Sequence, residues 1–400
     1  MVLGLALAIV RVAPLQQVGA LRVGAPWVMD DFRHVVYYPS RAFWDGLNPY
    51  DSSSYMKRYP VDVAVSLYAP AIFLLFLPFA LLPLGASSIS YFILTVLLTL
   101  VLAWAALQLS GWRPTSSSIL AVGGIVLLSR PGHWNLLSGQ VTLVLVLATY
   151  CALRFSQSAP PLAGAGIALA LLKPTFGMPL ILVLLAQGAR RALAWGIGLA
   201  AALNLPVLAV LVRREGGLSP FLTTVAQTSH ATTTKLAADA MGGVWRVDLP
   251  ALVSRLSGQP LGTWTGSLVG AAVLLPVMLM SRRLGESNGS AQKHVLTALV
   301  CCAVLLSIYH LAYDLLLLTL PGAVVARALQ GASPFRGIHV AQALAFAVLA
   351  LNYMATESVL TALQLAPWQR MILVSANGLA LTGLFGLYLM EARSLQRSRS

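Results

Sequence analysis

Apolar runs bounded by proline, glycine and short polar joints recur along nearly the whole chain. Covering ~30 Å of hydrocarbon takes ~20 consecutive apolar residues as a helix. Candidates fall at about 88–110, 117–130, 138–154, 162–173, 175–188, 192–212, 263–281, 295–310, 311–328, 337–355 and 369–390, with a further run at 1–21. Charged residues make up 10% of the 400 and apolar residues 58%, against roughly 25% charged in soluble domains. The fold expected is an all-α polytopic membrane protein with about twelve transmembrane helices.

The net charge of +14 does not point to nucleic acid, because the basic residues are scattered singly or in pairs. They serve instead to orient the spans. Residues 68–84, YAPAIFLLFLPFALLPL, are broken by Pro70, Pro78 and Pro83. If this run lies at the interface without crossing, Arg113, Arg154, Arg190, Arg191, Arg282, Arg283, Arg327 and the RSLQRSRS tail share one face. Both termini are then cytoplasmic. The same choice sends 22–87, the joint from Arg130 to Gln140, Lys173, the loop 213–262 and Tyr309 to Asp314 to the outer face.

The organisation predicted is a first span at 1–21, an outer loop with interfacial helices at 22–87, spans over 88–212, a long outer loop at 213–262 with one amphipathic helix, spans over 263–390, and a basic tail at 391–400. The first span is short and interrupted by Arg11, so the start reads as clipped. Cys151, Cys301 and Cys302 sit in apolar runs and read as small buried side chains.

Five of twelve acidic residues (Asp30, Asp31, Asp45, Asp51 and Asp62) crowd with tyrosines between residues 29 and 68. A carboxylate beside a bilayer is costly unless solvated or paired. Asp30 and Asp31 read either as a solvated helix cap or as a general base that takes a proton from an attacking hydroxyl. Lys173, in LALLKPTFGMPL, either snorkels to the interface or binds a lipid-linked phosphate. His310 and Asp314 are four residues apart, as are Tyr309 and Tyr313. The acid can hold the histidine charged for phosphate contact, or the pair is structural. Gln140 opens a run after His133, Trp134 and Asn135, as a cap or a ligand. There is no metal-ligand spacing, P-loop or dinucleotide fingerprint, so no metal or cofactor is expected.

Taken in order, Asp31, Phe32 and Tyr38, then DGLNPYD from Asp45, Tyr68 with Pro70, SGQVTLVL, LLKPTFGMPLILVLLAQGARR and YHLAYDLLLL resemble glycosyltransferase family 87 over about residues 30 to 330. The resemblance implies a GT-C-like bundle with a catalytic first outer loop. It implies a hexosyltransferase, with mannose the expected sugar, that uses a polyprenyl-phosphate donor. Transfer to a glycolipid or glycan acceptor inverts the anomeric centre on the outer face of the plasma membrane. Asp31 falls on the family's catalytic acid, and Lys173 and His310 are placed for the donor phosphate. Tyr37, Tyr38, Asn48, Tyr50, Tyr68, Gln140, Tyr309 and Asp314 are the expected substrate contacts. A transporter or flippase of lipid-linked solutes and a non-catalytic scaffold are the rival readings.

Overall fold

The structure, a computed structural model, describes residues 29–61, 68–284, 289–331 and 335–397. The expected first span, Asp62 and the end of the tail lie outside them. In chain order, short helices come first: α1 (Phe32–Tyr37, π-helical), α2 (Tyr38–Trp44), α3 (Ser52–Arg58), α4 (Ala71–Leu75) and α5 (Leu77–Ala80). Then come α6 (Leu84–Leu109), α7 (Ser116–Leu128), α8 (Arg130–Ser138), α9 (Thr142–Phe155), α10 (Pro160–Ala170), α11 (Pro174–Ala186) and α12 (Arg190–Arg214). The second half holds α13 (Leu218–Gly242), α14 (Leu249–Ser257), α15 (Thr263–Leu284), α16 (Ser290–Ser307), α17 (Ala312–Gln330, 3-10 in its first turns), α18 (Arg336–Leu351), α19 (Glu357–Ala362) and α20 (Pro367–Arg397).

Among the described residues six helices are long and apolar enough to cross a membrane: α6, α12, α15, α16, α17 and α20. That is fewer than the twelve expected. Five apolar runs fold instead as the shorter helices α7, α9, α10, α11 and α18, of 11 to 16 residues. At ~1.5 Å per residue these reach only roughly 16–24 Å. Ile93, Leu97, Ile197, Leu205 and Leu268 are exposed on the long helices, as a surface facing lipid requires. The stretch 68–84 holds α4 and α5, of 5 and 4 residues, and neither can cross. The segment 213–262 holds two helices, where one was expected.

Three interruptions organise the bundle. Pro174 disfavours helical backbone at the residue before it, and Lys173 is extended (φ −117°, ψ 102°). The chain therefore turns between α10 and α11. Gln157 beside α10's start donates to the Gln187 carbonyl after α11's end (3.4 Å), so the two helices form a hairpin with Lys173 at its tip. His294 on α16 meets the Leu109 carbonyl (3.0 Å) and Arg327 on α17 meets that of Ser110 (3.3 Å). Both therefore leave from one end of α6, and Ile308 to Leu311 form the tip of a second hairpin. A third break follows α8, where Gly139 adopts the left-handed region (φ 70°).

Helix breaks free backbone groups that must find partners away from water. Here the partners come from neighbouring segments. Ala69 N–H donates to the Leu172 carbonyl (2.9 Å), Val247 N–H to that of His310 (3.1 Å) and Met29 N–H to that of Leu137 (2.6 Å). Tyr91 hydroxyl donates to the Gln140 carbonyl (3.2 Å). The three tips are thus tied to the first loop and to the 243–248 segment.

Helix α12 gives the depth of this junction. Arginine pairs bracket its apolar length, and Asn204 accepts from Ala71 N–H (2.8 Å) two residues from the Leu172 contact. Asn204 stands roughly 21 Å along from Arg190 and roughly 15 Å short of Arg214. The tips lie recessed within the bundle, below the end where Arg214 donates to the Phe43 and Leu47 carbonyls.

Candidate functional site

At the floor, Lys173 Nζ lies 2.7 and 3.0 Å from the two Asp314 oxygens. Thr142 hydroxyl donates to Asp314 Oδ1 (3.0 Å), and Leu311 N–H donates to Oδ2 (3.1 Å). His310 Nδ1 is 3.0 Å from Oδ2, and its Nε2 is 3.2 Å from the Thr175 carbonyl. Both ring nitrogens face acceptors, an arrangement that an imidazolium satisfies with two N–H donors. Lys173 is also packed over the Phe176 and Tyr313 rings. His310 and Asp314 are fully buried and Lys173 nearly so.

The floor is buttressed from the 213–262 segment. Arg246 Nε donates to Asp248 Oδ2 (2.9 Å) and its Nη2 donates to Oδ1. Asp248 in turn caps α14 at Ala251 N–H (3.0 Å) and accepts from His310 N–H (3.3 Å). Arg246 lies over the Tyr309 ring at 5.1 Å.

Asp31 forms the opposite wall. It sits at the start of α1 and is half-buried. Burial pushes its carboxyl up to about 6, and the negative charge of Asp30 adds to the rise. Gln140 and Ser138 reach the carboxyl and partly offset this, as does the more distant positive charge of Lys173. The ion pairs of this helix use its neighbour: Asp30 holds Arg33 at 2.9 Å and faces His34 at 3.5 Å. Gln140 Nε2 also donates to Tyr313 hydroxyl (2.9 Å), which links wall and floor. Burial raises the Tyr68 and Tyr309 hydroxyls, and the charges of Asp314 and Asp31 add to both. Those two rings therefore lie within the field of both acids.

The structure thus brings together Asp31, Tyr68, Gln140, Lys173, Tyr309, His310 and Asp314. The other four expected contacts are fasteners of the first loop. Tyr37 hydroxyl donates to the Leu82 carbonyl (3.0 Å), and its ring packs on Tyr38. Asn48 donates to Glu215 (2.7 Å) and accepts from Tyr50 N–H (3.0 Å). Tyr50 hydroxyl donates to the Tyr68 carbonyl (2.5 Å). Thr142, Thr175, Arg246 and Asp248 were not singled out from sequence. The R-x-D pair before Pro250, opposite charges in an apolar setting, was the available signal. Among the described residues no three His, Cys, Asp or Glu side chains cluster as metal ligands.

A family model described as glycosyltransferase family 87 matches residues 67–308, more than half of the chain. The matched stretch includes Tyr68, Gln140 and Lys173. It begins after Asp31 and ends just before Tyr309. No curated protein matches, and no solved structure matches.

Proposed function

The chain belongs to glycosyltransferase family 87, which makes it a membrane glycosyltransferase, and from that premise we propose that Asp31 is its general base. The carrying observation is the placement of Asp31: an acid whose carboxyl is pushed up to about 6, without an ion pair of its own among the described residues, across from the buried Lys173–Asp314 pair. A base poised near neutral pH combines the correct protonation state with useful proton affinity.

In the reaction proposed, the acceptor hydroxyl gives its proton to Asp31 as its oxygen bonds to the anomeric carbon. The bond from that carbon to the donor phosphate breaks on the opposite face. The phosphate leaves with the electron pair and gains a negative charge. Inversion follows from this single displacement. Lys173 and a charged His310 around the one Asp314 carboxylate leave the floor with net positive charge. Such charge stabilises the departing phosphate more strongly in a low-dielectric site than in water. With both ring nitrogens engaged, His310 acts through Asp314 and Lys173 rather than by touching phosphate.

The donor class that fits is a polyprenyl-phosphate hexose, with mannose the sugar proposed and a glycolipid or glycan as acceptor. An isoprenoid needs an apolar wall, and the recessed floor lies among apolar helices. Tyr68, Gln140 and Tyr309 line the path between base and floor. Tyr37, Tyr38, Asn48 and Tyr50 fix the loop that carries Asp31. The site opens on the outer face of the plasma membrane, with both termini cytoplasmic. The test is Asp31→Asn in isolated membranes with a labelled polyprenyl-phosphate sugar. Loss of transfer by about 10²–10⁴-fold with the protein still folded is expected. Normal turnover by that variant removes Asp31 from the mechanism.

A further inference from the structure

A second cluster of cations lies beside this site and takes no part in the chemistry above. Arg130, at the start of α8, is fully buried. Its Nη2 donates to the carbonyls of Val244 (3.2 Å) and Ala355. Its Nε and Nη1 have no partner. Those two nitrogens carry three of the five N–H donors of a guanidinium. Arg255 on α14 is nearly as deep. It donates to the carbonyls of Val374 (3.2 Å), Gly243 (2.9 Å) and Arg246 (3.2 Å), while its Nε is unpartnered.

Both arginines grip the same stretch, Gly243 to Arg246. Arg246 pairs with Asp248, whose charge also reaches Arg255. Among the described residues neither Arg130 nor Arg255 makes an ion pair. Burial pulls each down to about 10, so both keep their charge at neutral pH. A buried charge without a counter-ion is costly, and a buried donor without an acceptor adds to that cost. Carbonyl dipoles offset part of this for each Nη2. They leave Arg130 Nε and Nη1, Arg255 Nε and the net charge unanswered.

Aromatic rings lie against Arg130. Trp245 covers Arg130, whose guanidinium carbon is 5.4 Å from the ring centre. Trp134 meets Trp245 edge-on with centroids at 4.5 Å, and both tryptophans are half-buried.

We propose that Arg130, supported by Arg255 on the same backbone stretch, forms a second anion site, distinct from the donor-phosphate floor, that takes a phosphate ester group. A phosphate group within reach of Arg130 Nε and Nη1 would answer those donors and the uncompensated charge together, with Arg255 adding positive charge from the same backbone stretch. Tryptophans beside it suit a ligand with an amphipathic body next to its phosphate. Two sources share this chemistry, free phosphate and the headgroup of an anionic lipid. The inference needs neither Asp31 nor any assignment of the transferred sugar.

The experiment uses the full chain, delipidated in detergent. Binding of inorganic phosphate is measured by calorimetry. Binding to phosphatidylglycerol vesicles is compared with phosphatidylcholine vesicles. Arg130→Gln should weaken the anion response about tenfold or more, and Arg130→Lys should restore part of it. Arg255→Gln should weaken it less, and decides the matter if Arg130→Gln does not fold. Arg191→Gln, at the far end of α12, should bind as the parent does, and so should Asp31→Asn, which separates this site from the catalytic reading. A response to both probes or to phosphatidylglycerol alone supports the site, and the second result identifies the lipid. No anion response in the parent chain, or an undiminished one in Arg130→Gln and Arg255→Gln, overturns it.

Discussion

Asp314 at the floor receives five hydrogen bonds, from Lys173 twice and from Thr142, His310 and Leu311 once each. Asp31 on the wall has an acidic neighbour, a half-open position and a carboxyl pushed up to about 6. Both are aspartates beside the same recess. One is saturated with donors and cannot readily take a proton. The other is held by amide and hydroxyl groups alone and can. The difference lies in which chain segments approach each acid. Asp314 sits where two hairpin tips cross, so a lysine and a histidine reach it. Asp31 sits on a helix whose cations turn to Asp30.

The largest effect should come from breaking the floor. Lys173→Met leaves the Asp314 carboxylate buried without its ammonium, and removal of one partner of a buried pair costs about 3–5 kcal/mol. The variant should lose most of its folded yield, read by size-exclusion chromatography in detergent. Asp314→Asn should do the same. The double variant Lys173→Met with Asp314→Leu should recover part of that yield without recovering transfer. Full stability of Lys173→Met would mean that the floor is not the closed network described.

The pH profile comes next and tests the wall. Asp31 must be deprotonated to act, so transfer should fall as pH drops through about 6, by tenfold per unit in the acid limb. An ordinary carboxylate would lose its activity only near pH 4. Stability follows with the opposite sense. The folded state holds the proton that the unfolded chain has already released, so stability declines as pH rises from about 4 to 6. Asp31→Asn should therefore melt higher than the parent above pH 6 and converge with it below pH 4. An acid limb near pH 4 would place the two acids in the same electrostatic class.

Gln140 and Tyr313 join the two regions, and a cut there should be smaller. Tyr313→Phe removes the acceptor from Gln140 Nε2 and should cost ~1 kcal/mol of stability. Its activity should fall because Gln140 then positions Asp31 less well. A shift of the acid limb in this variant separates a positioning role from simple loss of packing.

Much of the site was legible because polar side chains in an apolar chain need a reason to be there. Asp31, Gln140, Lys173 and the Tyr309 to Asp314 stretch stood out on that ground, and the structure gathers them. The pairing of His310 with Asp314 followed from their spacing. The pairing of Lys173 with Asp314 did not, since 141 residues separate them. Hydropathy counts apolar length without showing where a chain turns back, so the hairpins at Lys173 and Tyr309 were not foreseen. Helix α13 was hidden by its threonines, which are poor helix formers. In the folded chain Thr223, Thr232, Thr233 and Thr234 bond their own hydroxyls to carbonyls four residues back.

The mildest perturbation concerns how the wall is held in place. Asn48 bonds Glu215 at 2.7 Å, and Tyr50 hydroxyl and Thr228 fasten the same loop to Tyr68 and to α13. Asn48→Ala removes a hydrogen bond to a charged group, worth about 1.5–3 kcal/mol when fully desolvated. Glu215 is half-buried, so ~1 kcal/mol is the expected loss. The loop carries Asp31 but supplies none of the five hydrogen bonds to Asp314, so the floor should survive intact. The variant should keep its folded yield and its acid limb near pH 6, while apparent KM for the acceptor rises a few-fold. An unchanged KM with a lowered kcat would show instead that the loop sets the reach of Asp31 itself.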